Sequence, residues 1–144
     1  MRTLEALAIL FCVAGCGGGP LEPAELVLNE EACSLCRMAV SQRPFAAQAV
    51  TRSGRTDFFD DIGCLVRWAA EHPPTPKTAL FVVDHETGAW LNATIAHYVR
   101  SESLDTPMSS GLAAFGAKEK AAAAAKALKG RVLDWEALCK EEAS

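Results

Sequence analysis

Two turn signals set the frame for this chain. Ser53-Gly54 separates the strand-like run Phe45 to Thr51 from Thr56-Asp57-Phe58-Phe59, and Asp84 to Gly88 separates Ala79 to Val83 from Ala89 to Asn92. Short apolar runs joined by such turns read as hairpins. The first hairpin leads into Asp60-Asp61, which caps a helix with Ile62, Leu65, Val66 and Ala69 at helical spacing. That helix must stop before Pro73-Pro74. Beyond the second hairpin, Ile95 to Val99 adds a strand and Pro107 to Gly111 a loop. Ala117 to Lys129 is an alanine-rich helix ended by Gly130, and Arg131 to Leu138 packs back as a strand plus a turn of helix. The order predicts an α+β fold: two hairpin-plus-helix (ββα-type) units, around residues 45–71 and 79–129, packed as one compact domain with mostly antiparallel sheet.

The first residues place the domain in a compartment. Arg2 precedes the apolar run Ala6 to Ala14, then Gly15-Cys16. A basic residue, about ten apolar residues and a small-residue cleavage point make a secretory signal, too short for the ~20 residues of a membrane span. Val13-Ala14-Gly15-Cys16 resembles a bacterial lipobox, which implies cleavage after residue 15 and lipidation of the Cys16 sulfur. Residues 16–24, with Gly17-Gly18-Gly19-Pro20 and Pro23, then read as anchor and flexible tether, leaving 25–144 as the folded domain. More than one acyl chain anchors stably, so the expected location is the periplasmic side of a membrane. Gly17 after the lipidated Cys leans toward the outer membrane. The domain is long enough for one hydrophobic core, and a chain that is 50% hydrophobic with net charge -4 reads as globular. It carries no Lys/Arg-rich patch, which argues against nucleic acid.

Of six Cys, Cys12 leaves with the signal and Cys16 is lipidated, so Cys33, Cys36, Cys64 and Cys139 remain. In an oxidising periplasm disulfides are the default expectation for them, here a bond between Cys33 and Cys36 or to Cys64. The segment Cys33-Ser34-Leu35-Cys36-Arg37-Met38 competes with that default, because thiolate and thioether together are the donor set that Cu(I) prefers. If Cys36-Arg37-Met38 is extended, the sulfurs two residues apart point to one side, and Cys33 reaches the same point across a turn. A Cys-x-x-Cys redox motif belongs beside a βαβ unit, whereas this one precedes a hairpin. Structural zinc needs a second Cys/His pair at short spacing, and Cys64 and Cys139 stand alone.

Taken in order, Cys33-x-x-Cys36-x-Met38, Phe58-Phe59-Asp60-Asp61-Ile62-Gly63-Cys64, Val83-Asp84 with Tyr98-Val99, and Thr106-Pro107-Met108-Ser109-Ser110-Gly111-Leu112-Ala113-Ala114-Phe115 resemble the nitrous oxide reductase accessory lipoprotein NosL family. The resemblance implies a Cu(I)-binding periplasmic lipoprotein, a copper chaperone rather than an enzyme. Its partners would be apo nitrous oxide reductase, as copper acceptor, and other copper-handling proteins. It also implies a fold of paired ββα-type units, a fold shared with organomercurial lyases. Carried over, the copper ligands are Cys36, Met38 and Met108, with Cys33 as a further candidate. The chain departs from the commonest form of the motif at Arg37, where Gly is usual, and at Ser109, where Gly often follows the Met.

Other residues have plainer readings. Cys64 falls in a first helical turn, where the helix end lowers a thiol pKa, but reads foremost as a small buried hydrophobe. His97 reads as a polar strand residue before a fourth ligand; His72 and His85 read as solvated, Cys139 has no evident role, and Trp68, Trp90 and Trp135 read as core or rim anchors. The alternative function is a thiol-dependent enzyme, a disulfide oxidoreductase or an organomercurial-lyase-like protein, with Cys33, Cys36 and Asp60 converging on one atom.

Overall fold

Asp61 starts the central helix. In the computed structural model, which describes residues 19–142, its backbone is extended and its Oδ1 accepts the Gly63 amide at 2.7 Å, capping α1 (Ile62–Glu71). Ile62, Leu65, Val66 and Ala69 are all buried, as their spacing predicts. Each of the larger three contributes about 2 kcal/mol through removal of its apolar surface from water. The helix ends at His72, whose ring stacks on Trp68 with centroids 4.6 Å apart, and Pro73-Pro74 follows.

Before α1, β1 (Ala47–Thr51) and β2 (Thr56–Phe59) form the expected hairpin. β3 (Thr78–Val83) and β4 (Trp90–Asn92) form the second, but β3 pairs with β1 and so extends the first sheet to the order β2-β1-β3-β4. The second ββα unit is instead β5 (His97–Arg100), β6 (Leu112–Phe115) and α2 (Lys118–Ala127). β7 (Arg131–Leu133) pairs with the free side of β5, and α3 (Trp135–Glu142) packs on α1. Every strand pairing is antiparallel, and the α+β class with its two ββα-type units is as the sequence predicts.

Both sheets feed one core. Ala47, Ala49, Leu80 and Val82 from the first meet Tyr98, Leu112, Ala114 and Leu133 from the second, with the inner face of α1 and Leu138 of α3. The opposite face of the first sheet is covered by the N-terminal segment. There the fully buried Gln48 amide brackets Ala24, accepting its N–H at 2.8 Å and donating to its carbonyl at 3.1 Å. Helix α2 ends at Ala127, two residues short of the Lys129 end read from sequence. Lys129 takes the left-handed conformation at φ 52°, and Gly130 N donates to Ala125 O at 2.8 Å, closing a Schellman motif. Gly130 is required for another reason: a Cβ there would stand 2.5 Å from Arg100 O. No helix among the described residues is long and apolar enough to cross a membrane. The signal and Cys16 lie outside the described residues.

Candidate metal site

The Cys/Met segment is a tight loop, not an extended run. Cys33 N donates to Met38 O at 2.8 Å, Arg37 N donates to Cys33 O at 3.0 Å, and Ala32 bridges Ala39 in antiparallel fashion. The chain reverses at Arg37, which has φ 68°. This corrects the extended reading of Cys36-Arg37-Met38. A residue in the left-handed region breaks the two-residue alternation that would have put both sulfurs on one side of a strand.

Three anchors hold the loop on the first sheet. Cys33 forms a parallel bridge with Phe58 of β2, and Ser34 N donates to Phe58 O at 2.8 Å. Ser34 Oγ donates to Asp57 Oδ1 at 3.0 Å, and Ser41 N donates to Asp60 Oδ1 at 2.9 Å. The result is a depth gradient across three sulfur residues: Cys33 is 0% exposed, Cys36 is half-buried and Met38 is 60% exposed.

Cys64, in the first turn of α1, is fully buried, as read. Its sulfur also meets those of Cys33 and Cys36, all three lying within 4.8 Å of one another. All four Cys of the domain are free thiols. The Cys64 thiol donates to Cys33 and, against the cost of burial, holds Cys33 well below the usual thiol range, with amides of Cys36, Asp60 and Leu35 adding to the effect. The Cys36 amide lies 3.5 Å from that sulfur. Cys64 is pushed the other way, first by its bond to Cys33 and then by burial. Burial pushes Cys36 up. Cys33 is therefore the most acidic thiol of the three. Arg67, one turn along α1, places Nη2 3.8 Å from Cys64 Sγ.

Met108 reaches the same end of α1 by another route. Asp61 Oδ2 accepts Thr106 Oγ1 at 2.8 Å and Met108 N at 2.9 Å, while its Oδ1 caps the helix. Gly63 permits this approach, since a Cβ there would lie 2.7 Å from Ser110 Cβ. Met108, 39% exposed, lines a cleft of about 250 Å³ with Gly63, Arg67 and Ser110. Ser109, the next residue, has φ 57°. Both departures from the usual motif, Arg37 and Ser109, thus occupy backbone that suits glycine. An L side chain there costs roughly 1 kcal/mol.

Of the remaining candidates, His97, Cys139 and His85 lie outside the thiol cluster, while Asp60 touches it through its amide at Cys33. His97 is on β5, opposite Phe115. Cys139 lies half-buried on α3 against the core. His85 sits between the Phe45 and Phe115 rings. The Asp60 carboxylate is engaged by the Ser41 amide and hydroxyl and raised in pKa, chiefly by burial. Sequence reasoning joined Cys64 to Cys33 and Cys36 only as a disulfide partner, and did not assign it as a metal ligand. The signal was its place just after the Asp60-Asp61 cap, at the end of the strand on which the Cys33 loop docks.

Known proteins share this fold. The crystal structure of the copper chaperone NosL from Shewanella denitrificans matches with a TM-score of 0.70 and 18% identity, over 81% of this chain and 96% of that one. The copper-binding lipoprotein NosL of Stutzerimonas stutzeri is 31% identical over 160 aligned positions, covering 99% of this chain and 84% of that protein. A family model described as NosL matches residues 24–143. The chain belongs to the NosL family.

Proposed function

We propose that this chain is a lipid-anchored periplasmic carrier of Cu(I) that supplies copper to nitrous oxide reductase. The observation that carries the reading is the sulfur gradient from buried Cys33 through Cys36 to exposed Met38. Cu(I) is cargo, held by Cys36, Met38 and Met108, with Cys33 behind them. Soft thiolate and thioether donors select Cu(I) over the harder divalent ions. The exposed thioethers leave one side of the ion open, so an acceptor's imidazole or thiolate can bind before Cys36 releases. No bond of the cargo is made or broken other than to its ligands, and no catalytic group is needed. The names of the copper-binding relatives support the cargo, and the lipobox at Cys16 supports the anchor.

Anaerobic titration of the reduced protein with Cu(I) tests the reading. One equivalent is expected to bind, and Cys36→Ser with Met38→Leu is expected to lower the affinity at least 100-fold, about 2.7 kcal/mol. Absence of binding, or an affinity unmoved by the two substitutions, would defeat it. Loss of copper from the reductase of a strain lacking this protein, restored by the wild-type chain, tests the acceptor.

A further inference from the structure

We propose that Cys33, Cys36 and Cys64 form a second, buried Cu(I) position behind the surface site, with Cys36 common to both. The proposal rests on the reading above that the cargo is Cu(I). Its ground is geometric. A d10 ion bonded to three thiolates at about 2.3 Å holds their sulfurs about 4 Å apart. The three sulfurs already lie within 4.8 Å of one another, so a contraction of under an ångström closes the triangle.

The surroundings offer compensation for the charge, set against the nearby Asp60 and Asp61 carboxylates. Three thiolates around Cu(I) carry a net charge of -2, which a buried site tolerates only with compensation. Amides of Leu35, Cys36 and Asp60 point at Cys33, Cys64 lies in the first turn of α1 at its positive end, and the Arg67 guanidinium faces the Cys64 sulfur at 3.8 Å. Cys33 and Cys64 are both 0% exposed, so this position is closed to an acceptor, while Cys36 is half-buried. The ion passes between positions by ligand exchange at Cys36. Inward movement breaks the Met38 and Met108 bonds and forms bonds to Cys33 and Cys64. Copper stays Cu(I), no electrons move, and each thiol that becomes a ligand gives its proton to solvent. The buried position stores the ion and the outer one presents it.

The test uses the full chain, reduced and anaerobic, with Cu(I) supplied as a complex with a chromophoric chelator. In Met38→Leu/Met108→Leu, whose changes are on exposed side chains, one Cu(I) is expected to remain bound, and X-ray absorption should count three sulfur neighbours. Adding Cys64→Ala should reduce the count to two and the affinity about 100-fold. Loss of all copper from the double Met variant, or a count of two sulfurs in it, overturns the buried position while leaving the carrier function standing. An unchanged affinity on adding Cys64→Ala, in a variant with an intact unfolding transition, overturns it as well. Failure of the wild-type chain to bind Cu(I) removes the carrier reading itself.

Discussion

The two sulfur-bearing loops are fastened in opposite ways. The 33–38 loop is held by many small attachments: a backbone turn, a bridge to Phe58, and separate bonds to Asp57 and Asp60. The 106–111 loop hangs largely from one carboxylate, since Asp61 takes Thr106 and Met108 on one oxygen and caps α1 with the other. Distributed fastening tolerates the loss of any one contact. Concentrated fastening ties the position of a thioether to the start of the helix that carries a buried thiol. Both loops share one device, a non-glycine residue in left-handed backbone.

The sharpest break of this contrast is Asp61→Asn. An amide offers one acceptor oxygen where three donors converge, so a buried N–H is left facing other donors. We expect a loss of about 3 kcal/mol in urea unfolding, with Cu(I) affinity falling about tenfold as Met108 is released. A loss below about 1 kcal/mol would show that the loop has other fastenings. Next is Arg37→Gly, which relieves φ 68° and is expected to raise stability by about 1 kcal/mol while Cu(I) affinity holds. Destabilisation there would mean that the guanidinium has a structural partner. Ser109→Gly should stabilise by a little less, about 0.5 kcal/mol, because the 106–111 loop is already pinned on one side. The smallest effect is expected from Asp60→Asn. Its Oδ1 acceptor survives the change, and burial already disfavours its charge, so the unfolding free energy should change by less than about 0.5 kcal/mol. A large loss would place the 33–38 loop under the same single-point control as its counterpart.

Local physics made much of this legible from sequence. The α1 face, its Asp cap and its proline stop follow from residues within one or two turns of each other, and so does the β1–β2 hairpin. What escaped depends on distant partners. That β3 joins β1, and that the second ββα unit begins at β5, is decided by which strand faces are left to cover. The turn at Arg37 escaped because the usual marker, glycine, is absent while the backbone keeps the conformation glycine would favour. Cys64 read correctly as buried, but its meeting with Cys33 depends on a bridge between residues 33 and 58 that no spacing announces. The Met108 loop was legible as a loop, yet its attachment to Asp61 spans 47 residues.

The bridge from Cys33 to Phe58 has a consequence apart from metals. β2 is the outer strand of the four-stranded sheet, and an outer strand offers unpaired N–H and C=O groups to any other chain with a free edge. The 33–38 loop lies along that edge and occupies Phe58 O through Ser34 N. The segment that holds the sulfurs therefore also shields the sheet from self-association. A substitution that unseats the loop would leave a protein that clumps as well as one that fails to hold its cargo, and light scattering would register the first loss as readily as a titration registers the second.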